Sequence, residues 1–103
     1  MVYDILPYTK KRAKELGVKI FPSDNPKYKL EVYDWNGVFI CYIGSAKHLD
    51  YPHYLEMEKN GEVPKGYAKE RQRLYWARHH KEIEKLGAEW EGSRSYYSFL
   101  LLW

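Results

Sequence analysis

The sequence predicts a small α+β protein. Three observations carry that expectation. Residues 27–44 hold two β-prone runs separated by Asn36-Gly37, the strongest short-range hairpin cue. Residues 65–86 place apolar and aromatic side chains at helical spacing. Shorter helix-like segments stand near both ends of the chain. A length of 103 residues allows one domain (1–103) with one modest core.

The first element is a short helix. After an apolar stretch (Val2, Tyr3, Ile5, Leu6) and Pro7, Thr9 is placed as an N-cap for residues 10–16. Gly17 then ends the helix in a left-handed conformation. Lys10, Lys11, Arg12 and Lys14 give it a basic, solvated face. Residues 18–21 fit a short strand. Residues 22–26 hold two prolines among turn-formers and read as a loop.

The hairpin comes next, at about residues 28–43. A two-residue turn at Asn36-Gly37 pairs Trp35 with Val38, Tyr33 with Ile40, Val32 with Cys41, Glu31 with Tyr42 and Leu30 with Ile43. One face then carries Leu30, Val32, Phe39, Cys41 and Ile43, with Asp34 at the turn end. The other carries Glu31, Tyr33, Trp35, Val38, Ile40 and Tyr42. The first face is ordinary core. The second is also largely apolar, so it calls for a cover, either a helix or a partner.

A short helix follows over residues 49–59, with Asp50 or Tyr51 at its cap and Pro52 in its first turn. Asn60-Gly61 ends it. On a helical wheel of residues 65–86, Ala68, Gln72, Tyr75, Trp76, His79, Ile83 and Leu86 share an arc of about 100°. This stripe is expected to pack on the hairpin. Arg71, Arg78 and Lys85 flank it on one side; Lys69, Arg73 and His80 flank it on the other. Gly87 closes the helix, and residues 88–94 connect it to the closing stretch. That stretch, residues 95–103, is too apolar to stay in water; docking within the chain is preferred to docking on another.

Charge is concentrated on the long helix. Residues 65–86 hold four Lys and three Arg against three Glu. Ten basic and eleven acidic side chains remain elsewhere, so the formal net charge of +3 sits on this one segment. Aromatic usage is the other anomaly, with eleven Tyr and four Trp. Such rings join apolar area to a polar tip and are enriched at interfaces. A core built from large residues is the alternative use.

Catalytic signatures are weak. Tyr42-Ile43-Gly44 resembles the second half of the GIY-YIG nuclease motif, which also closes a strand after a turn. The upstream Gly-Ile-Tyr is missing, the gap from Tyr33 is too short, and residues 47–70 contain no Arg to stabilise charge on a phosphate. A degenerate nuclease is therefore the weakest of the functional readings. His79 and His80 point about 100° apart on a helix, and His48 and His53 lack partners at ligand spacing, so no metal is expected. No cofactor loop and no nucleophile triad can be drawn. Cys41 is the sole cysteine and reads as packing. A single cysteine, no apolar run of spanning length and no secretory order at the N-terminus predict a protein of a reducing compartment, neither secreted nor membrane-spanning.

Residues 44–51 (Gly-Ser-Ala-Lys-His-Leu-Asp-Tyr), 70–79 (Glu-Arg-Gln-Arg-Leu-Tyr-Trp-Ala-Arg-His) and the closing Leu101-Leu102-Trp103 resemble a group of small proteins of large nucleocytoplasmic DNA viruses. The likeness covers about residues 27–103. Its helix here reads Arg71-x-x-x-Tyr75-x-x-Arg78-His79, close to the group's pattern without copying it. The resemblance brings no activity. It implies a viral origin and a location in the virion or in the host cytoplasm or nucleus.

Two functional expectations result. The first is a non-enzymatic, virion-associated interaction protein, such as a minor capsid or cement component, with no cofactor. It would be held among other virion proteins by Tyr33, Trp35, Tyr42, Trp103 and arginines, residue types that anchor interfaces. The second is a nucleic-acid-binding module in which Lys69, Arg71, Arg73, Arg78 and Lys81 neutralise DNA or RNA phosphates.

Overall fold

The computed structural model describes residues 3–103; Val2 of the N-terminal apolar stretch lies outside them. The protein is α+β, with four α-helices and a three-stranded antiparallel sheet among the described residues. The chain packs as two compact units, Met1–His48 and Leu49–Trp103.

The first unit opens with helix α1, Pro7–Leu16. It starts before the expected cap. Pro7 sits in the first turn, where its missing N–H would have no partner anyway, and Leu6 supplies no side-chain cap. Thr9 is therefore inside the helix and fully buried. Gly17 ends α1 as expected, at φ 71°. The helix packs on strand β1, Lys19–Pro22, which the sequence placed one residue earlier.

β1 pairs antiparallel with β2, Tyr28–Tyr33, and β2 with β3, Phe39–Ser45. Leu30, Val32 and Ile43 are fully buried along one face. The Leu30–Ile43, Glu31–Tyr42 and Val32–Cys41 pairs match the expected register. Beyond them the register slips. Tyr33 faces Phe39, so Ile40 is the extra residue of a bulge.

The cause is Asp34. Its Oδ1 accepts the main-chain N–H groups of Asn36 and Val38, each at 2.9 Å. Gly37 N–H donates to the Asp34 carbonyl at 3.0 Å, and Asp34 N–H to Val38 O at 2.8 Å. The loop is thus three residues, Trp35-Asn36-Gly37, with Gly37 left-handed at φ 87°. A two-residue turn would leave the Asp34 carboxylate without these donors. The slip moves Phe39 from the expected core face to the face of Tyr33.

The second unit holds α2 (Tyr51–Lys59), α3 (Tyr67–Leu86), a 3₁₀ turn (Gly87–Glu89) and α4 (Arg94–Leu102). Asp50 caps α2, and Ser93 caps α4 by accepting from Tyr96 N–H. α3 packs against both α2 and α4. Ala68 is buried, and Gln72, Tyr75, His79, Ile83 and Leu86 are half-buried, as the wheel predicts. Trp76 lies at the edge of the arc and stays 40% exposed.

Within this unit the α3 stripe meets the C-terminal segment. Phe99, Leu101 and Leu102 are buried, and Trp103 is 8% exposed. The Phe99 ring stands edge-on to Tyr75, Trp76 and Trp90, at 5.2, 5.0 and 5.9 Å between centroids. Gln72 donates its amide to the main-chain oxygen of Trp103 at 2.6 Å. The apolar closing stretch docks within its own chain. Among the described residues, no helix is long and apolar enough to cross a membrane.

Candidate interaction surfaces

Two surfaces collect the residues singled out in the sequence, one in each unit. In the first, antiparallel pairing builds two cross-strand rows on one sheet face. One row is Phe21, Glu31 and Tyr42; the next is Lys19, Tyr33 and Phe39. Five rings run continuously there. Phe21 to Tyr33 and Tyr33 to Phe39 are each 5.6 Å apart, Phe39 to Tyr42 is 4.9 Å, and Tyr42 to Tyr28 is 5.4 Å in a near-parallel stack.

Carboxylates hold the polar ends of this strip. Glu31 is buried, accepting Tyr33 O–H at 2.7 Å and Asp24 N–H at 2.6 Å. Tyr42 O–H donates to Asp24 Oδ1 at 3.0 Å. These bonds favour the protonated phenols: the bond to Glu31 raises Tyr33 above its ordinary pKa, and the bond to Asp24 does the same for Tyr42. The hydroxyls are thereby tied down, and the rings present apolar area with little freedom left to lose. Phe21 remains 50% exposed and Phe39 45% exposed.

Trp35 extends the surface at the hairpin tip. It is 65% exposed, and the Lys19 ammonium sits 5.2 Å from its ring centroid. Tyr33, Trp35 and Tyr42 therefore belong to one unit and one hairpin, as the sequence suggested. Phe21 and Phe39 belong with them and were missed. The signal for Phe39 was Asp34, whose carboxylate selects the longer loop.

Trp103 belongs elsewhere. It stacks on Tyr75 at 4.2 Å and lies 6.3 Å from the Tyr54 ring. Expected among partner-facing aromatics, it is instead an anchor of the second unit's own packing. Burial there also raises the Tyr75 phenol pKa, and its oxygen lies 3.1 Å from Ser98 Oγ.

The cations of α3 fall on two sides. On one, Arg73 forms a two-bond ion pair with Glu70, at 2.6 and 3.1 Å, and His80 meets Glu84 at 2.8 Å. Lys69 shares that side. The pair raises the Arg73 pKa and lowers that of Glu70. On the other side are Arg71, Arg78 and Lys81. Arg71 is half-buried with its guanidinium 5.7 Å from the Tyr54 centroid. Arg78 is exposed, and its Nε donates to His79 Nε2 at 3.4 Å. His79 in turn meets Glu82 at 2.9 Å, and that bond, followed by one from Ser95, lowers the Glu82 pKa.

Among the described residues, no group of three or more His, Cys, Asp or Glu is placed to hold a metal ion. No family model matches this chain, and no curated protein or solved structure does either.

Proposed function

We propose that the protein is a non-enzymatic interaction protein that docks on another protein through the aromatic sheet face and Trp35. On the resemblance across residues 27–103, its partner is a shell protein of a large DNA virus particle, and its role is that of a minor capsid or cement component. One observation carries the docking reading. Phe21, Trp35, Val38 and Phe39 are all large apolar side chains at least 45% exposed, and all belong to one sheet and its turn. Clustered exposure of this kind marks interaction sites on soluble proteins. Trp and Tyr held rigid at the centre of a patch are the residues that dominate binding energy.

The charge beside the rings supports a protein partner over a nucleic acid on this face. Glu31 and Asp24 lie at the strip, and a phosphate stacked there would meet two carboxylates. Those carboxylates are also engaged by phenols and main chain, which suits a positioning role.

The test is particle association. Tagged wild-type protein and a Trp35→Ala/Phe39→Ala variant are each expressed during infection, and particles are purified on a density gradient. Wild-type protein should remain at a fixed ratio to the major shell protein. The variant should stay folded by circular dichroism and move to the unbound fraction. Absence of wild-type protein from particles, or equal retention of the folded variant, would overturn the proposal.

A further inference from the structure

The basic side chains of α3 do not form one patch, and their partners decide which of them are available. At 100° per residue, Arg71, Arg78 and Lys85 lie within about 40° of a line along the helix. Successive members rise about 10.5 Å, so the three span about 21 Å. Lys81 borders the line on one side. Among the described residues, none of these four cations has a carboxylate partner. The acids of the helix pair with other side chains, Glu70 with Arg73, Glu82 with His79 and Glu84 with His80. Of these, Glu82 borders the line on the side away from Lys81, about 20° from Arg71. On the opposite flank Glu70 neutralises Arg73, and Glu84 places a further carboxylate beside His80.

Arg71 adds a second observation. Its Nε is buried and makes no hydrogen bond, while the guanidinium is stacked on Tyr54. Leaving a buried donor without an acceptor costs free energy, and a lysine reaching into solvent would avoid that cost. With Arg78, Arg71 lines a groove of about 450 Å³ whose other walls are Leu74, Tyr75, Ala77 and Trp103. The cation nearest the packed core is thus held in place beside a concave surface.

We propose that this flank of α3, made by Arg71, Arg78, Lys81 and Lys85, is a docking strip for the phosphodiester backbone of duplex nucleic acid. A line of cations about 21 Å long fits a polyanion better than one small ion. Of the groove's apolar side chains, Leu74 is the one large exposed one, too little to insert into an anionic bilayer. The neighbouring rings are engaged within the unit, Trp103 on Tyr75 and Tyr75 beside Ser98, so the strip does not offer free faces for unstacked bases. Binding is therefore to the backbone and without base reading. This strip is separate from the sheet, and either proposal can fail without the other.

The experiment is fluorescence anisotropy with a labelled 20-base-pair DNA duplex across a salt series. With up to four phosphates neutralised, the slope of log K against log salt is about −3 to −4. Wild-type affinity then falls about 100-fold between 50 and 200 mM salt. The variant Arg78→Gln/Lys81→Gln/Lys85→Gln changes only exposed residues to a good helix former, so the fold is kept. Its slope should shrink to about −1. A Lys69→Gln/Arg73→Gln variant, on the opposite flank, should keep the wild-type slope. No binding at 50 mM salt would overturn the proposal. So would equal losses in the two variants, or equally tight binding to polyglutamate or to phosphatidylserine vesicles.

Discussion

The indole of Trp103 lies parallel to the phenol ring of Tyr75, with centroids 4.2 Å apart and 5° between their planes. Around this pair, Gln72 and Trp76 both donate to the Trp103 main-chain oxygen, at 2.6 and 3.4 Å. The C-terminal segment is thereby locked to the middle of α3. Trp103→Ala should cost about 3–5 kcal/mol, the range for removing a buried aromatic. Gln72→Ala removes one hydrogen bond and should cost about 1 kcal/mol. Urea unfolding of the variants checks both. A Trp103→Ala protein as stable as wild type would mean that the stack does not hold the unit together.

The stripe that receives Trp103 was legible because helical periodicity depends on sequence spacing alone. Ala68, Tyr75, His79 and Ile83 recur at intervals that only a helix brings to one side. The strands were legible for a similar reason. What the sequence left open was decided by side-chain hydrogen bonds. Asn36-Gly37 suits more than one loop, and the Asp34 carboxylate chooses the three-residue form. The start of α1 was missed because Thr9 can cap a helix or sit inside one, and Pro7 fits the first turn without a cap. Which of the α3 cations are available depends on rotamers of Glu70, Glu82 and Glu84, which spacing does not specify. Packing of Trp103 within its own unit, likewise, is a matter of tertiary contact.

The hairpin loop offers a direct test of that reading. Asp34→Ala removes the acceptor of two main-chain N–H groups and should cost about 1–2 kcal/mol. Gly37 has φ 87°, and nothing lies within 4 Å of where a Cβ would sit. Gly37→Ala should therefore cost about 1 kcal/mol from backbone conformation alone, and Gly37→Asn less. Thermal unfolding measures the order. If Gly37→Ala is neutral, the left-handed loop is not the one adopted in solution.

Asp50 is fully buried at the start of α2. Its Oδ1 accepts from His53 N–H at 3.2 Å and lies 2.7 Å from His53 Nδ1. Asp50→Ala removes the cap and the acceptor for the imidazole, so a loss of about 2–3 kcal/mol is expected. Asp50→Asn keeps an oxygen for the cap and should lose about half as much. Denaturant midpoints of the two variants give the comparison. Equal losses would show that charge, more than capping, holds this residue.

The phenols set an alkaline limit on the fold. Hydrogen bonds to Glu31 and Asp24 raise Tyr33 and Tyr42, and burial raises Tyr75, above the ordinary value near 10. Between that value and the raised ones, the unfolded chain has released protons that the folded chain retains. Stability then falls as pH rises, because the unfolded state binds fewer protons. The contribution is complete below pH 10 and is lost as the folded phenols ionise. Denaturant unfolding measured upward from pH 9 should show this decline, and a Tyr33→Phe/Tyr42→Phe protein should show a shallower one. The phenolate absorbance of the folded wild type should also rise at higher pH than that of the denatured chain. A stability that stays level through this window would break the link between the two carboxylates and the rings they hold.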